Sequence, residues 1–395
     1  MTTYRFEAYA LTPVHVGCGR QIDPTEFVLV DDKILQVNLP ALLEDLSPEE
    51  RHRFTEFLDR ADLKEIHNFV RHQAKKEHHV LGQVDAGEEF RRIYAAKCAN
   101  PDNQFLVEMM PRNPHTGIPM LPGSGIKGAI RTAVINYFVN FDSTTSAKLK
   151  EKLKGVENKK RGQILEEVAL DRLQRNTQGD VFRLVHVEDV SLPYGSTRID
   201  RATNINPGNP NAGKIQMWVE RLKSQADMKK ALNFEVKLRI DTRAMSDPRV
   251  ERLLGRKLDI DLLFKACNHF YWGRMTAEGD KFDKRREEGQ PWKAIHNLFP
   301  KARFENGGIE TLDPTSKYWE NPYIKRKRML LRVGRFSHFE SLSVDNYRQG
   351  FNIQTKRPIH GMGSTRTRCI IDNRNDPVPF GWILMTLDAE KISEP

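Results

Sequence analysis

Cysteine is scarce in this 395-residue chain: Cys18, Cys98, Cys267 and Cys369 stand far apart, with no C-x-x-C and no close histidine pairs beside them. That excludes a disulfide-stapled secreted fold, argues against a zinc site, and fits reduced thiols in the cytoplasm. No stretch approaches the roughly 18 apolar residues of a membrane helix, so no membrane partner is expected. The opening MTTYRFEAYA has neither a basic start nor an apolar run, so no secretion signal is expected. No G-x-x-x-x-G-K-[ST] phosphate loop can be drawn, and no fixed-period repeat is visible. Apolar residues make up 38%, below the usual share, so much of the chain is surface, loop or interface. Nothing calls for a metal or a cofactor. The densest histidine group, KKEHHV (75–80), reads as the solvated surface of a polar helical segment.

What the chain has is positive charge, 63 basic against 53 acidic residues, net +10. YIKRKRMLLRVGR (323–335) gathers Lys325, Arg326, Lys327, Arg328, Arg332 and Arg335, and QTKRPIHGMGSTRTR (354–368) adds Lys356, Arg357, Arg366 and Arg368. Such runs favour a polyanion partner. Each taken alone fits a solvated basic face equally well.

The alternation in YRFEAYALTPVHVG predicts a strand ending at Gly17, and EFVLVDDKILQVN a hairpin turning at Asp31-Asp32-Lys33. From Leu39 to about Lys97 the pattern is helical and highly charged, more an insertion than a core, with Ser47-Pro48-Glu49-Glu50 as a helix start. NQFLVEMM (103–110) reads as a short strand and PRNPHTGIPMLPG as loop. Ile126 to Asn140 reads as a helix with Ile126, Ile130, Ala133, Val134 and Tyr137 on one buried stripe. Residues 146–175 read as helical, DVFRLVHVEDVSL (180–192) and NFEVKLRID (233–241) as strands, and TNINPGNPNAGK (203–214) as the tip of a long hairpin reaching out from the body. A helical stretch to about 298, glycine-rich basic loops and a last strand at GWILMTL (381–387) complete the chain. Strands and helices mix without βαβ regularity, so the expected class is α+β with antiparallel sheets. The expected division is residues 1–240, carrying the insertion and a hairpin at about 195–220, and residues 241–395.

PMLPGSGIKGAIRTAVINYF (119–138) contains a literal G-x-G-x-x-G at Gly123, Gly125 and Gly128. A dinucleotide fingerprint needs a buried strand running in and an acidic residue about 20 residues on. Here two prolines precede the glycines and a polar helical segment follows, so that reading fails. A physical feature survives it. First-turn N–H groups lack internal partners and sit at the positive end of the helix dipole, which suits an anion. Ser124 adds a donor, and Lys127 and Arg131, spaced i, i+4, share a face apart from the apolar stripe. The alternative is a helix start rich in small residues with two surface cations.

LTPVHVGCGRQIDPTEF, IPMLPGSGIKGAIRTA, the RIDRATN hairpin and the closing GSTRTRCIIDN…PVPFGW together resemble the RAMP (repeat-associated mysterious protein) superfamily of CRISPR systems. Their order and the chain's size are most similar to those of the fifth Csm subunit of type III-A effector complexes. The resemblance runs in patches from end to end, weakest at 39–97 and 245–320. It implies RNA-recognition-like (ferredoxin-like) βαββαβ domains with helical insertions. It also implies a seat at the end of a ribonucleoprotein filament that holds the 3′ part of the guide RNA. The backbone RAMP subunit and the small helical subunit are the implied neighbours, with a host trimming nuclease as a further partner. Carried over by motif, the RNA-facing candidates are Gly123, Ser124, Gly125, Lys127 and Arg131; His15, Gly17, Gly19 and Arg20 beside them; and Arg198 and Arg201 in a thumb-like hairpin. A glycine-rich loop, either Gly334–His338 with Arg335 or Gly361–Thr367 with Arg366, joins this set. Related backbone subunits cut target RNA with an aspartate in the loop after the first strand. Here Asp23 comes late, before a proline, where a turn or capping role fits better. His15 is the histidine placed for a general base, and a packed neutral histidine is its other reading.

The sequence therefore points to a non-catalytic subunit that grips guide RNA mainly by its backbone. Trp218, Tyr271 and Trp272 are either stacking platforms or core. Two alternatives remain: a ribonuclease that matures the guide, and a scaffold whose basic face meets acidic proteins.

Overall fold

A computed structural model of the protein describes residues 1–74, 76–98, 100, 103–172, 177–206, 217–224, 227, 232–282, 328–348, 350–352, 357–359, 361–372 and 377–388. The first strand, Thr2–Ala10, lies at the centre of a five-stranded antiparallel sheet. Its order is Arg328–Arg332, Trp382–Leu387, Thr2–Ala10, Asn233–Ile240, Val185–Val187. In chain order this is strand, helix Gly123–Phe141, strand, strand, helix Ile260–Phe282, strand: the βαββαβ plan, with Arg328–Arg332 as an extra edge strand. The alternation of the first strand explains its place, since Phe6, Ala8 and Ala10 all turn to the core.

Both helices pack on the sheet. Ile126, Ile130, Ala133 and Val134 are buried as their spacing predicts, and Tyr137 is half-buried at the edge of the stripe. The phenol of Tyr271 on the long helix donates to the Ala129 carbonyl at 3.0 Å and ties the two helices together. Each fully buried side chain of this kind contributes about 1.5–3 kcal/mol. Tyr271 and Trp272 belong to this core, and Trp218 to the next. For all three the core reading holds.

A second sheet runs in the order Gln21–Ile22, Val107–Glu108, Met217–Leu222, Thr197–Ile205, Val80–Ala86, Lys33–Val37, Phe27–Val30. Arg366–Ile370 pairs with the far end of Thr197–Ile205 and brings in Val378–Pro379. The predicted hairpin at Asp31-Asp32 is present, with Asp31 at φ 53°. Ser47 and Glu50 form the reciprocal capping box that their spacing suggests.

Several local expectations change. The first strand stops at Ala10, because Pro13 cannot donate to a ladder; Val14 makes one isolated bridge, to Leu222. NQFLVEMM pairs only at Val107–Glu108, since Phe105 turns to φ 47°. DVFRLVHVEDVSL begins as a 3₁₀ turn, Val181–Leu184, capped by Asp180, before the strand Val185–Val187. The block at 39–97 holds three helices, a 3₁₀ turn, the sheet strand Val80–Ala86 and a fourth helix, Glu88–Lys97. Within KKEHHV, Glu77–His79 forms that 3₁₀ turn: His79 is buried, and Lys76, His78 and His79 converge on Asp45 at 2.6–2.9 Å, which holds the Asp45 carboxyl well below its usual range. The hairpin Thr197–Ile205/Met217–Leu222 does not project freely at its base, because strands flank it on both sides. Its tip, the basic residues Lys325, Arg326, Lys327 and Lys356, and the helical stretch expected beyond 282 lie outside the described residues.

Candidate nucleic-acid interface

The glycine helix opens on a groove of about 630 Å³. Val16, Gly17 and Gly19 form one wall, Val333 to Arg335 and Ser337 the other, and Leu121, Pro122, Ser124, Gly125, Ile126, Gly128, Ala129 and Thr132 the floor and rim; Leu342 overhangs. Two glycines set its walls. Gly334 (φ +91°) lies so close to the first loop that an added Cβ would come 2.4 Å from the His15 carbonyl oxygen, and Arg335 N–H donates to that same carbonyl at 2.9 Å. Gly381 (φ +95°) bridges the same two segments: its N–H donates to the Pro13 carbonyl at 2.8 Å and its own carbonyl accepts from Val333. Only a residue without Cβ adopts these backbone shapes at such separations.

The three motif glycines divide. At Gly123 an added Cβ would sit 2.2 Å from the Val187 carbonyl oxygen, so this glycine lets the helix start pack against residues 187–188. Its N–H donates to Asp189 at 2.7 Å, and Gly125 N–H donates to the Pro122 carbonyl. The expectation of an open set of first-turn donors is therefore corrected: a carboxylate of the chain itself already sits at the helix start. Ser124 remains exposed at the groove with no intrahelical acceptor for its N–H. Gly125 and Gly128 are different again. Added Cβ atoms there would meet nothing within 4 Å, and both residues face the groove with Thr132.

The basic candidates also separate. Arg131 does not line the groove: its guanidinium bonds Glu166 at 2.8 Å and Asp180 at 2.9 Å and lies over the Phe182 ring. Lys127 is half-buried on that same side near Asp180, and burial lowers its pKa. Arg198 pairs with Asp200 and Asp372, and Arg201 with Glu89 at 2.7 Å, each with under a fifth of its side chain exposed. Arg366 turns inward completely. With Arg332 and Arg368 it surrounds the buried Glu278, whose carboxyl Arg332 and Arg368 hold far below its usual range, and it reaches Glu340 at 2.9 Å. Of the two glycine loops, Gly334–Ser337 lines the groove, while Gly363 N–H is bound to Glu340 at 2.7 Å.

Arg335 keeps about half of its side chain exposed at the groove wall and pairs with Glu108. Arg20 is exposed, 3.8 Å from Glu26. His15 is 1% exposed, stacked on Phe336, with Nδ1 2.6 Å from the Glu220 carbonyl oxygen. It is packed, as one of its two readings expects, and burial lowers its pKa, which favours the neutral form. Asp23 serves a turn, accepting from Thr25 N–H at 2.7 Å and from its hydroxyl.

Gly17, Gly19, Ser124, Gly125 and Arg335 thus meet at one site. Sequence reasoning missed Gly128 and Thr132 as lining, although 125, 128 and 132 share a helical face. Ser337 falls within the Gly334–His338 loop named from the sequence, whereas Leu342, Glu108 and Asp189 carry no local signal.

A model of the RAMP superfamily matches residues 7–270. No curated protein matches the chain. Among solved structures, a chain of the Csm–crRNA–target RNA ternary complex of a type III-A CRISPR-Cas system superposes with TM-score 0.60 at 17% identity, covering 98% of this chain and all of that one. The Csm5 crystal structure from T. onnurineus gives 0.59 at 15% identity, covering 95% and 99%.

Proposed function

The chain belongs to the RAMP superfamily, and from that premise we propose that it is a non-catalytic, guide-RNA-holding subunit of a type III-A CRISPR effector in antiviral defence. In this reading it sits at the 3′ end of the guide and contributes to guide maturation and complex assembly. Its neighbours are the backbone RAMP subunit and the small helical subunit, and a host nuclease does the trimming. The structural likeness to Csm5 and to a chain of an RNA-bound Csm complex supports this assignment.

One observation carries it. Glycine inside a helix is destabilising by roughly 0.5–1 kcal/mol relative to alanine, and Gly125 and Gly128 have no packing neighbour that demands it. The room they leave opens on the groove, beside Ser124, the Gly334–Ser337 loop and Arg335. A strand of linked ribose-phosphates needs this: close backbone approach, a few donors and a cation, with no base-reading pocket. The ribonuclease alternative lacks such support, since His15 is buried behind the groove wall.

The test is single-stranded RNA binding by Gly128→Leu, which projects a side chain into the groove from a site with no other neighbour. Affinity is expected to fall about tenfold, the equivalent of about 1.4 kcal/mol, with the thermal midpoint unchanged or raised. Wild-type affinity in a folded Gly128→Leu protein would remove the groove from the RNA path.

A further inference from the structure

Behind the groove wall, one carboxylate serves two bases. Glu108 is mostly buried; its Oε2 contacts the Arg335 guanidinium and lies 3.5 Å from His15 Nε2, while Gln21 donates to its Oε1 at 3.4 Å. His15 Nδ1 lies 2.6 Å from the Glu220 carbonyl oxygen. A carbonyl only accepts, so Nδ1 carries the ring proton and Nε2 presents its lone pair towards Glu108. Nε2 is buried without a hydrogen-bond partner. Two acceptors therefore face each other with no proton between them, an arrangement that is stable only while Arg335 neutralises the carboxylate.

The remaining groups around His15 do not compete. The Glu220 carboxylate is taken by Arg112, by Thr197 Oγ1 at 2.7 Å and by Met110 N–H at 2.9 Å. Phe336 stacks on the ring at 5.6 Å, and Arg332 is committed to Glu278. Gly17 lies against both partners, its added Cβ 3.6 Å from Arg335 Cδ and 3.7 Å from His15 Nε2.

We propose that Glu108 and His15 are positioning residues for Arg335, and that RNA binding at the groove is coupled to uptake of one proton by His15. The inference rests on the groove reading given above. A phosphate that draws Arg335 off Glu108 would leave a buried carboxylate without its cation, which is strongly unfavourable. Protonation of His15 Nε2 restores the balance with a charge-assisted bond to Glu108. The proton comes from solvent, no covalent bond changes, and the net charge behind the wall is conserved.

The sign follows by linkage. In the free protein, burial keeps the His15 pKa below 6.5. Removing the Arg335 charge and freeing Glu108 both raise it. The bound state then holds more protons, so affinity increases as pH falls through the interval between the free and bound values. Each unit of rise corresponds to about tenfold in affinity.

Calorimetric titration of the full chain with oligouridylate, in buffers of different ionisation enthalpy, tests this. Near pH 6.5, wild type is expected to take up about half a proton per RNA bound, and to bind about five- to tenfold tighter at pH 5.5 than at pH 7.5. His15→Gln and Glu108→Gln are each expected to abolish the uptake and flatten the profile, Glu108→Gln also strengthening binding at the upper pH by releasing Arg335. A purely structural role for either residue would weaken binding equally at every pH. Uptake that persists in folded His15→Gln, or in Glu108→Gln should His15→Gln not fold, overturns the coupling and leaves the groove reading intact. Wild type that binds no RNA at any pH overturns both.

Discussion

At Gly123 an added methyl would press on the Val187 carbonyl oxygen, whereas at Gly125 and Gly128 it would point into open groove. The same motif letters therefore carry different loads, and the difference is measurable without any ligand. Gly123→Ala is expected to destabilise the fold by about 1–3 kcal/mol, the usual effect of overpacking. Gly128→Ala is expected to stabilise it by about 0.5–1 kcal/mol, the helix-propensity gain. Denaturant unfolding of the two variants checks both signs. The spacing of the motif told us that the helix begins here and which stripe is buried. It could not tell packing glycine from clearance glycine, because that depends on residues 187–188 and 333–337, which reach the helix from distant parts of the chain. Asp189, which takes the first N–H, was invisible for the same reason.

Among the elements, the basic runs depart furthest from their sequence reading. Arg332, Arg366 and Arg368 do not form a solvated face. They close on Glu278 of the long helix and so clamp the strands Arg328–Arg332 and Arg366–Ile370, one from each sheet, to that helix. The period of a strand held a hint, since Arg366 and Arg368 at i, i+2 must share one side, but Glu278, the partner they share, sits about 90 residues away. Removing one partner from a buried charge cluster typically destabilises by about 3–5 kcal/mol. Glu278→Gln is expected to fall in that range by denaturant unfolding, while Arg20→Gln, at an exposed site, is expected to change stability by less than about 0.5 kcal/mol. A small effect at Glu278 would mean that the three guanidinium groups find other compensation.

At the scale of the whole molecule, the α+β class and the antiparallel central sheet were legible, because alternation in the first strand and in Asn233–Ile240 and the helical stripe after Gly123 are local signals. The second sheet was legible only in parts, the hairpin at 26–38 and the strands of the hairpin at about 195–220; its assembly was not, because its strands come from distant stretches of the chain and Val80–Ala86 lies inside the block read as helical. The groove has the same origin. Three segments about one to two hundred residues apart meet there, of which Gly17, Gly19, Ser124, Gly125 and the loop Gly334–Ser337 with Arg335 were named from the sequence. Net charge of +10 favours long-range attraction of a polyanion, and on the proposed RNA reading the log–log salt slope is expected to be about −0.7 per phosphate neutralised. The most direct measurement is photocrosslinking of guide RNA within the assembled complex, mapped to residues. Crosslinks are expected at 16–19, 124–132 and 333–337. A complex fully loaded with guide whose crosslinks on this subunit fall elsewhere, leaving all three segments unmarked, would contradict the account.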